Sequence, residues 1–277
     1  MLSIIISSYQ PHYFSALEKN VAETIGIPYE TIKIDNPGKV GICEAYNSGA
    51  SKANFDFLLF LHEDVEFRTV NWGKHLVNSL NQKNAGVIGV LGSDYIPNVP
   101  FAWWDLYENN FSHYTQFENN KLIGDYNLTE DKNVKIIDGV FMAVKKTVFN
   151  KFKFNERIKG YHGYDVVFSA NVAAEYQNLV TSKIKIAHFS YAVNGLNKDW
   201  MDMMIRSRRL YTMPADQWPN KKKELFSFLQ FYSYLKKFSY SKTETVALLI
   251  KYAEYSKIGL HGLRVAGRLI FKEILMK

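Results

Sequence analysis

The apolar run Phe57-Leu58-Leu59-Phe60-Leu61 ends abruptly in His62-Glu63-Asp64. A run with no polar face, bounded by polar residues, reads as a strand buried on both sides, as at the centre of a parallel sheet. In open α/β sheets, ligands bind outside the carboxyl ends of the strands. The triplet therefore stands where such a fold does its chemistry. Carboxylate oxygens at that place suit Mg²⁺ or Mn²⁺, above all when substrate phosphates complete the shell. The plain alternative is a strand emerging into water, and the rest of the chain has to decide between the two.

The flanking pattern supplies the fold. Residues 2–8 read as a first strand, 14–26 as a helix stopped by Gly26 and Pro28, and 29–34 as a second strand ending in the turn cluster Asp35-Asn36-Pro37-Gly38. Residues 42–53 give a short helix and 55–61 the central strand. The order β–α–β–α–β with short connections predicts a parallel, doubly wound sheet. No GxGxxG follows the first strand and no GxxxxGK[ST] occurs, so a Rossmann dinucleotide site and a P-loop are unsupported. A helix over 72–83 and a buried strand over 85–91 follow. The stretch 92–133, rich in Asn, Tyr, Trp and Phe, reads as a loop or hairpin insertion over the site. Residues 134–144 read as a strand interrupted at Asp138-Gly139. Residues 160–176 form a glycine-rich turn entering a helix, with Asp165 in the first turn, where the helix dipole favours negative charge. A last strand over 184–189 carries His188.

Charge divides the chain. The net charge is +7, yet residues 1–195 sum to −2 and residues 196–277 to +9. The asymmetry predicts a domain at 1–195 and a basic extension of three or four helices at 196–277. Within it, residues 260–276 place Arg264, Arg268 and Lys272 on one helical face, and Leu263, Ala266, Ile270 and Ile274 on another. Such a helix reads as membrane-surface binding, or as a cap whose cations form a solvated face; nucleic-acid binding ranks third, because no single-strand stacking platform is recognisable. The single cysteine, Cys43, permits no internal disulfide. No apolar stretch is long enough to predict a membrane-spanning helix, and the start lacks the pattern of a signal peptide. The expected location is cytoplasmic, with peripheral contact at the inner face of the membrane.

Taken in order, IIISSY at 4–9, Asp35, GICEAYNSGASKA at 41–53, FLLFLHEDVEF at 57–67, DGVFMAVKK at 138–146, GYHGYDVVFS at 160–169 and His188 resemble the family 2 glycosyltransferases of GT-A fold. The likeness is greatest to the subgroup similar to a streptomycin-biosynthesis glycosyltransferase. It implies a Rossmann-like, mainly parallel central sheet flanked by helices. The implied activity is inverting transfer of a sugar from a nucleotide-diphosphate donor to a hydroxyl of a glycan or lipid-linked acceptor, in assembly of a bacterial surface polysaccharide. By the same resemblance, Ser7, Tyr9, Asp35, Gly41, Asn47, His62 and Glu63 line the donor, Asp64 and His188 hold Mn²⁺ or Mg²⁺, and Asp165 is the catalytic base. His62 stands where the family's metal-binding triplet has its first Asp, Tyr46 where Arg is common, and Val167 where a further acid is frequent.

The chemistry agrees with these roles. Glycosyl transfer needs a base for the acceptor proton and positive charge on the departing diphosphate. Trp103 and Trp104 are expected to stack on a sugar, since indole presents an apolar face and a donor edge; core packing is the alternative. Asp138, Gly139 and His162 are candidates for the acceptor pocket. Two rival functions stand beside the transferase: a catalytically silent nucleotide-sugar binder or scaffold, and a membrane or nucleic-acid adaptor acting through the basic helices.

Overall fold

The computed structural model describes residues 1–189 and 196–275. The expected domain junction at 195/196 falls at residues 190–195, outside the described residues. The chain runs β1 (Leu2–Ser8), α1 (Pro11–Thr24), β2 (Tyr29–Asp35), α2 (Ile42–Lys52), β3 (Phe57–Leu61), β4 (Val65–Phe67), α3 (Trp72–Leu80), β5 (Ala85–Gly89) and β6 (Leu91–Ser93). Two single 3-10 turns precede β7 (Asn110–Ser112), β8 (Tyr114–Glu118), β9 (Lys121–Asp125), β10 (Lys132–Val134), β11 (Ile136–Ile137) and β12 (Phe141–Lys145). Then come α4 (Lys146–Phe152), α5 (Tyr164–Val172), β13 (Gln177–Val180), β14 (Ile186–Phe189), α6 (Lys198–Ser207), α7 (Lys221–Lys237), α8 (Lys242–Tyr252) and α9 (Tyr255–Leu275).

The central sheet has seven strands in the order β10-β13-β5-β12-β3-β1-β2. Strands β1, β2, β3, β5 and β13 run one way, while β10 and β12 run against them. The sheet is therefore mainly parallel, but β3 is parallel to β1 on one side and antiparallel to β12 on the other. Helices cover both of its faces, Leu59 and Leu61 packing with Leu17 and Leu76 and Leu58 and Phe60 with Tyr46 and Phe149, which is why Leu58 to Leu61 are fully buried. The single strand expected over 85–91 divides at Val90: β5 stays in the central sheet and β6 joins a small sheet with β7 and β11. Gly89 lies at that division, where a side chain would meet Ile137 Cγ2 at 2.4 Å. The insertion over 92–133 is indeed hairpin-bearing, and β8 and β9 extend a third sheet, β4-β14-β8-β9.

The C-terminal helices pack on the sheet-bearing body. Phe228, Phe231, Leu235 and Leu249 are buried in the same cluster as Leu59, Trp72 and Phe141. A buried carboxylate pins the contact: Glu224 on α7 accepts from Tyr95 Oη at 2.8 Å and from Asn98 N at 2.9 Å. Arg208 adds a bond from Nε to the Asn98 carbonyl at 2.8 Å. The cap reading of this segment thus holds for its inner faces. Replacing Glu224 by Ala should leave Tyr95 and Asn98 without their acceptor and cost about 2–3 kcal/mol, read as a lower urea midpoint at unchanged slope.

Candidate active site

Three consecutive residues at the end of β3 point alternately to opposite sides, as extended chain requires. Glu63 turns inward and is 4% exposed. It accepts from Ser8 Oγ at 2.6 Å, Tyr9 N at 3.0 Å and Gln10 N at 2.9 Å. That carboxylate holds the turn between β1 and α1, so its oxygens are committed within the protein. His62 and Asp64 face the other way, toward His188.

Asp64 and His188 are neighbours because β4 pairs antiparallel with β14, with Val65 opposite His188. Phe189 N donates to the Asp64 carbonyl at 2.9 Å and extends the ladder. His188 Nε2 lies 3.5 Å from Asp64 Oδ1, and His62 Nδ1 lies 3.9 Å from the same oxygen. One ligand atom from each residue falls within 4.8 Å of the others. His188 Nδ1 is 3.2 Å from Gln116 Oε1 on β8. His62 Nε2 is 3.1 Å from the Tyr164 hydroxyl. Each imidazole is thus held through one nitrogen and turns the other toward Asp64, the usual way a protein orients histidine ligands.

The group fits a divalent metal. His188 Nε2 is buried without a hydrogen-bond partner, a costly state for a polar atom. Burial would raise the Asp64 carboxyl, but the adjoining His188 and His62 imidazoles outweigh it and bring it down to about 2. Burial lowers the His62 imidazole, against the pull of Asp64. The set available at neutral pH is therefore one carboxylate and imidazole nitrogen, suited to Mn²⁺ and similar cations.

A second centre lies beside the first. His62 N donates to the Val140 carbonyl at 3.1 Å, so the end of β3 adjoins the turn Asp138-Gly139-Val140 before β12. Asp165, in the first turn of α5, accepts from Gly139 N at 3.2 Å. Burial, and next the charge of Asp138, raise the Asp165 carboxyl from 3.8 to about 7. Gly139 is required here, since a Cβ would lie 2.0 Å from the Tyr164 hydroxyl. Adjacent residues of α5 thereby serve both centres: Tyr164 holds His62, and Asp165 reaches the turn.

The other expected residues are dispersed around this pair. Asp35 is exposed at the end of β2 and pairs with Lys33 at 2.7 Å. Tyr9 is 65% exposed at the end of β1. Ser7 Oγ accepts from Asn36 Nδ2 at 3.2 Å. Gly41 caps α2, where a Cβ would meet the Lys159 carbonyl at 2.7 Å. Asn47 exchanges bonds with the Phe154 backbone and donates to Glu156, so its amide ties α2 to the loop after α4. His162 is exposed in the turn before α5. Trp103 corrects an expectation: it is 4% exposed and packs in the core, whereas Trp104 is 36% exposed. Val167, where a second acid is frequent, is buried in the core. The expected turn cluster after β2 is held by the buried Asn36, which accepts from Lys39 N and Val40 N, each at 3.0 Å; sequence reasoning missed Tyr164 and Gln116. Only Tyr164 carried a signal, its place beside Asp165.

An open, mainly parallel sheet with a His-Asp-His cluster between the end of β3 and β14 and a carboxylate opening α5 has the architecture of the GT-A fold. Residues 3–202 match the glycosyltransferase like family, and the chain belongs to it. A mannosyltransferase from Pyrobaculum calidifontis, in complex with GDP-Man and Mn²⁺, superposes with a TM-score of 0.55 at 11% identity, over 99% of this chain and 87% of that one. S. aureus TarS in complex with UDP gives 0.52 at 12% identity, over 98% and 91%. GalNAc-T7 with UDP, GalNAc and Mn²⁺ gives 0.51 at 12% identity, over 99% of this chain but 56% of that one, so this chain spans just over half its length. At such identities the likeness establishes the fold alone. No protein of curated function matches the sequence.

Tyr164→Phe keeps the ring and removes the hydroxyl from His62. Mn²⁺ affinity by calorimetry should fall about tenfold or more, with the thermal midpoint nearly unchanged.

Proposed function

We propose that the protein transfers a sugar from a nucleotide-diphosphate donor to an acceptor hydroxyl with inversion at the anomeric carbon. The observation that carries the reading is the adjacency of the two centres: a metal-type cluster at His62, Asp64 and His188 beside the half-buried carboxylate of Asp165, with its pKa raised to about 7. A base poised near the working pH is the most effective for proton transfer.

Asp165 in its ionised form accepts the proton of the acceptor hydroxyl. The hydroxyl oxygen forms its bond to the anomeric carbon from the face opposite the diphosphate. The bond from that carbon to the diphosphate oxygen breaks, and its electron pair leaves with the nucleotide. His62, Asp64 and His188 would hold Mn²⁺ or Mg²⁺, which supplies positive charge to the departing diphosphate. Asp138 keeps the Asp165 proton affinity high by charge repulsion across the turn. Asp35, Ser7, Tyr9 and Gly41 lie along the carboxyl ends of β1 and β2 and at the start of α2, a rim suited to the nucleoside and diphosphate. Trp104, Gly139 and His162 are assigned to the acceptor side. One base and one metal site suit direct displacement; the paired-carboxylate arrangement of glycoside hydrolases is a different design. A glycan of the bacterial surface, carried on a lipid, is the acceptor class proposed.

A catalytically silent binder would be favoured by the departures at His62 and Val167. Here His62 joins the Asp-His cluster as a third potential ligand, which favours a working site.

Product stereochemistry from a donor of known anomeric configuration, followed by NMR, tests the proposal: inversion supports it and retention contradicts it. The rate kcat/KM should rise with pH and level off above about 7, as Asp165 loses its proton. Asp165→Asn should lose about 100-fold or more in kcat with donor affinity unchanged. The same substitution should raise stability at alkaline pH. A raised folded pKa stabilises the protonated form, so wild-type stability declines as pH climbs from 3.8 through about 7. The gain in thermal midpoint over wild type should therefore be greater at pH 8 than at pH 5.

A further inference from the structure

Helix α9 docks by one apolar stripe and leaves a second one uncovered. Its inward side is complete: Ala266 is buried, and Leu263, Leu269 and Ile270 pack against the core. Yet Leu260, Phe271, Ile274 and Leu275 remain 56%, 63%, 64% and 60% exposed. The apolar face expected to hold Leu263, Ala266, Ile270 and Ile274 together is thus divided: the first three pack inward and Ile274 stays outside. At 3.6 residues per turn, Ile274, Leu260 and Phe271 form one side of the exposed arc. Arg264, Arg268 and Lys272 form its other side, with Leu275 lying between the first two. The only acid on α9, Glu273, is turned inward, where it accepts from Tyr232 Oη at 2.6 Å and Lys236 Nζ at 2.9 Å. Those two bonds also fix α7 alongside α9.

The neighbouring helix continues the surface. On α7, Phe226 and Leu229 are 39% and 41% exposed. At the start of the pair, a groove of about 540 Å³ opens between the helices, lined by Lys221, Lys222, Leu225, Leu260 and His261. The two helices therefore share an outer face of aliphatic and aromatic side chains interleaved with cations.

We infer that this outer face of α7 and α9 docks on the surface of an anionic lipid bilayer, the apolar side chains entering the headgroup boundary and the cations meeting lipid phosphates. Charge complementarity selects the occupant. The apolar row would enter the interface in the manner of surface-lying amphipathic helices, and long basic side chains reach past an apolar contact to place their charge at the headgroups. No helix among the described residues is long and apolar enough to cross a membrane, so the contact lies along the surface. Nucleic acid would use the cations but would leave Leu260, Ile274 and Leu275 exposed. The inference stands independently of the transferase reading.

The experiment is co-sedimentation of the full chain with vesicles of phosphatidylcholine alone and of phosphatidylcholine with phosphatidylglycerol, at low and high salt. Wild type should bind the anionic vesicles and release them as salt rises. Arg264→Ser with Arg268→Ser should weaken binding by about tenfold or more, each cation near the surface being worth several-fold. Phe271→Ser with Leu275→Ser should weaken it as well and leave the remainder more salt-sensitive. All four sites are exposed, and unchanged circular dichroism and Mn²⁺ affinity would show intact folds. Absence of wild-type binding to anionic vesicles overturns the inference. So does binding that neither double variant alters, or capture of oligonucleotide by the same residues in place of vesicles.

Discussion

The pairing of β4 with β14 is the constraint on which the candidate site depends. Three residues of β4 pair with three of β14 in this short ladder, and its register sets Val65 opposite His188. That alignment places the His188 imidazole against Asp64, although the two are far apart in sequence. The ladder is backed by β8, whose Gln116 lies opposite His188 and holds its ring. A slip of one residue would turn His188 to the other face of the small sheet and take Nε2 away from Asp64. Glu63 works to the same end from the other side. By accepting three bonds from residues 8–10, it fixes the end of β3 and the pose of its neighbours.

The antiparallel β12 joins this cluster to the second centre. Because β12 lies directly beside β3, the Asp138-Gly139-Val140 turn meets His62, and α5 packs its first turn against that meeting point. The side chains of Tyr46, Phe60, Phe154 and Tyr164 form a contiguous aromatic packing beneath it. Burial by that packing raises the Asp165 carboxyl. The same burial makes glycine obligatory at position 139, since the Tyr164 hydroxyl occupies the space of a side chain. Packing, proton affinity and ligand orientation are thus consequences of one local arrangement.

Much of this was legible in the chain. The run at 57–61 and the β–α–β–α–β spacing are local signals, and they led to the right strands, the mainly parallel sheet and the residues at the end of β3. Asp165 in a helical first turn and His188 on a late strand were readable for the same reason. What escaped the sequence was non-local. Reversed β12 has the same apolar composition as a parallel strand, so its direction leaves no trace in periodicity. The division at Val90 arises because β6 is captured by β7 and β11, and an unbroken apolar run hides it. Trp103 and Trp104 look alike in sequence, but tertiary packing buries only the first. Gln116 has no motif, because its role comes from lying beside β14.

The basic segment shows the limit differently. Its charge excess was plain, and its helices were foreseeable, but the face that packs could be told from the face left open only once Glu224 and Glu273 were seen turned inward. The central claim remains the three-residue cluster that β4–β14 pairing creates. The most direct test is a crystal structure of the protein grown with Mn²⁺ and a nucleotide diphosphate, with anomalous data at the manganese edge. A single peak coordinated by Asp64, His188 Nε2 and His62 Nδ1 is the result expected. A bound nucleotide with manganese elsewhere, or with His188 turned away from Asp64, would contradict the account.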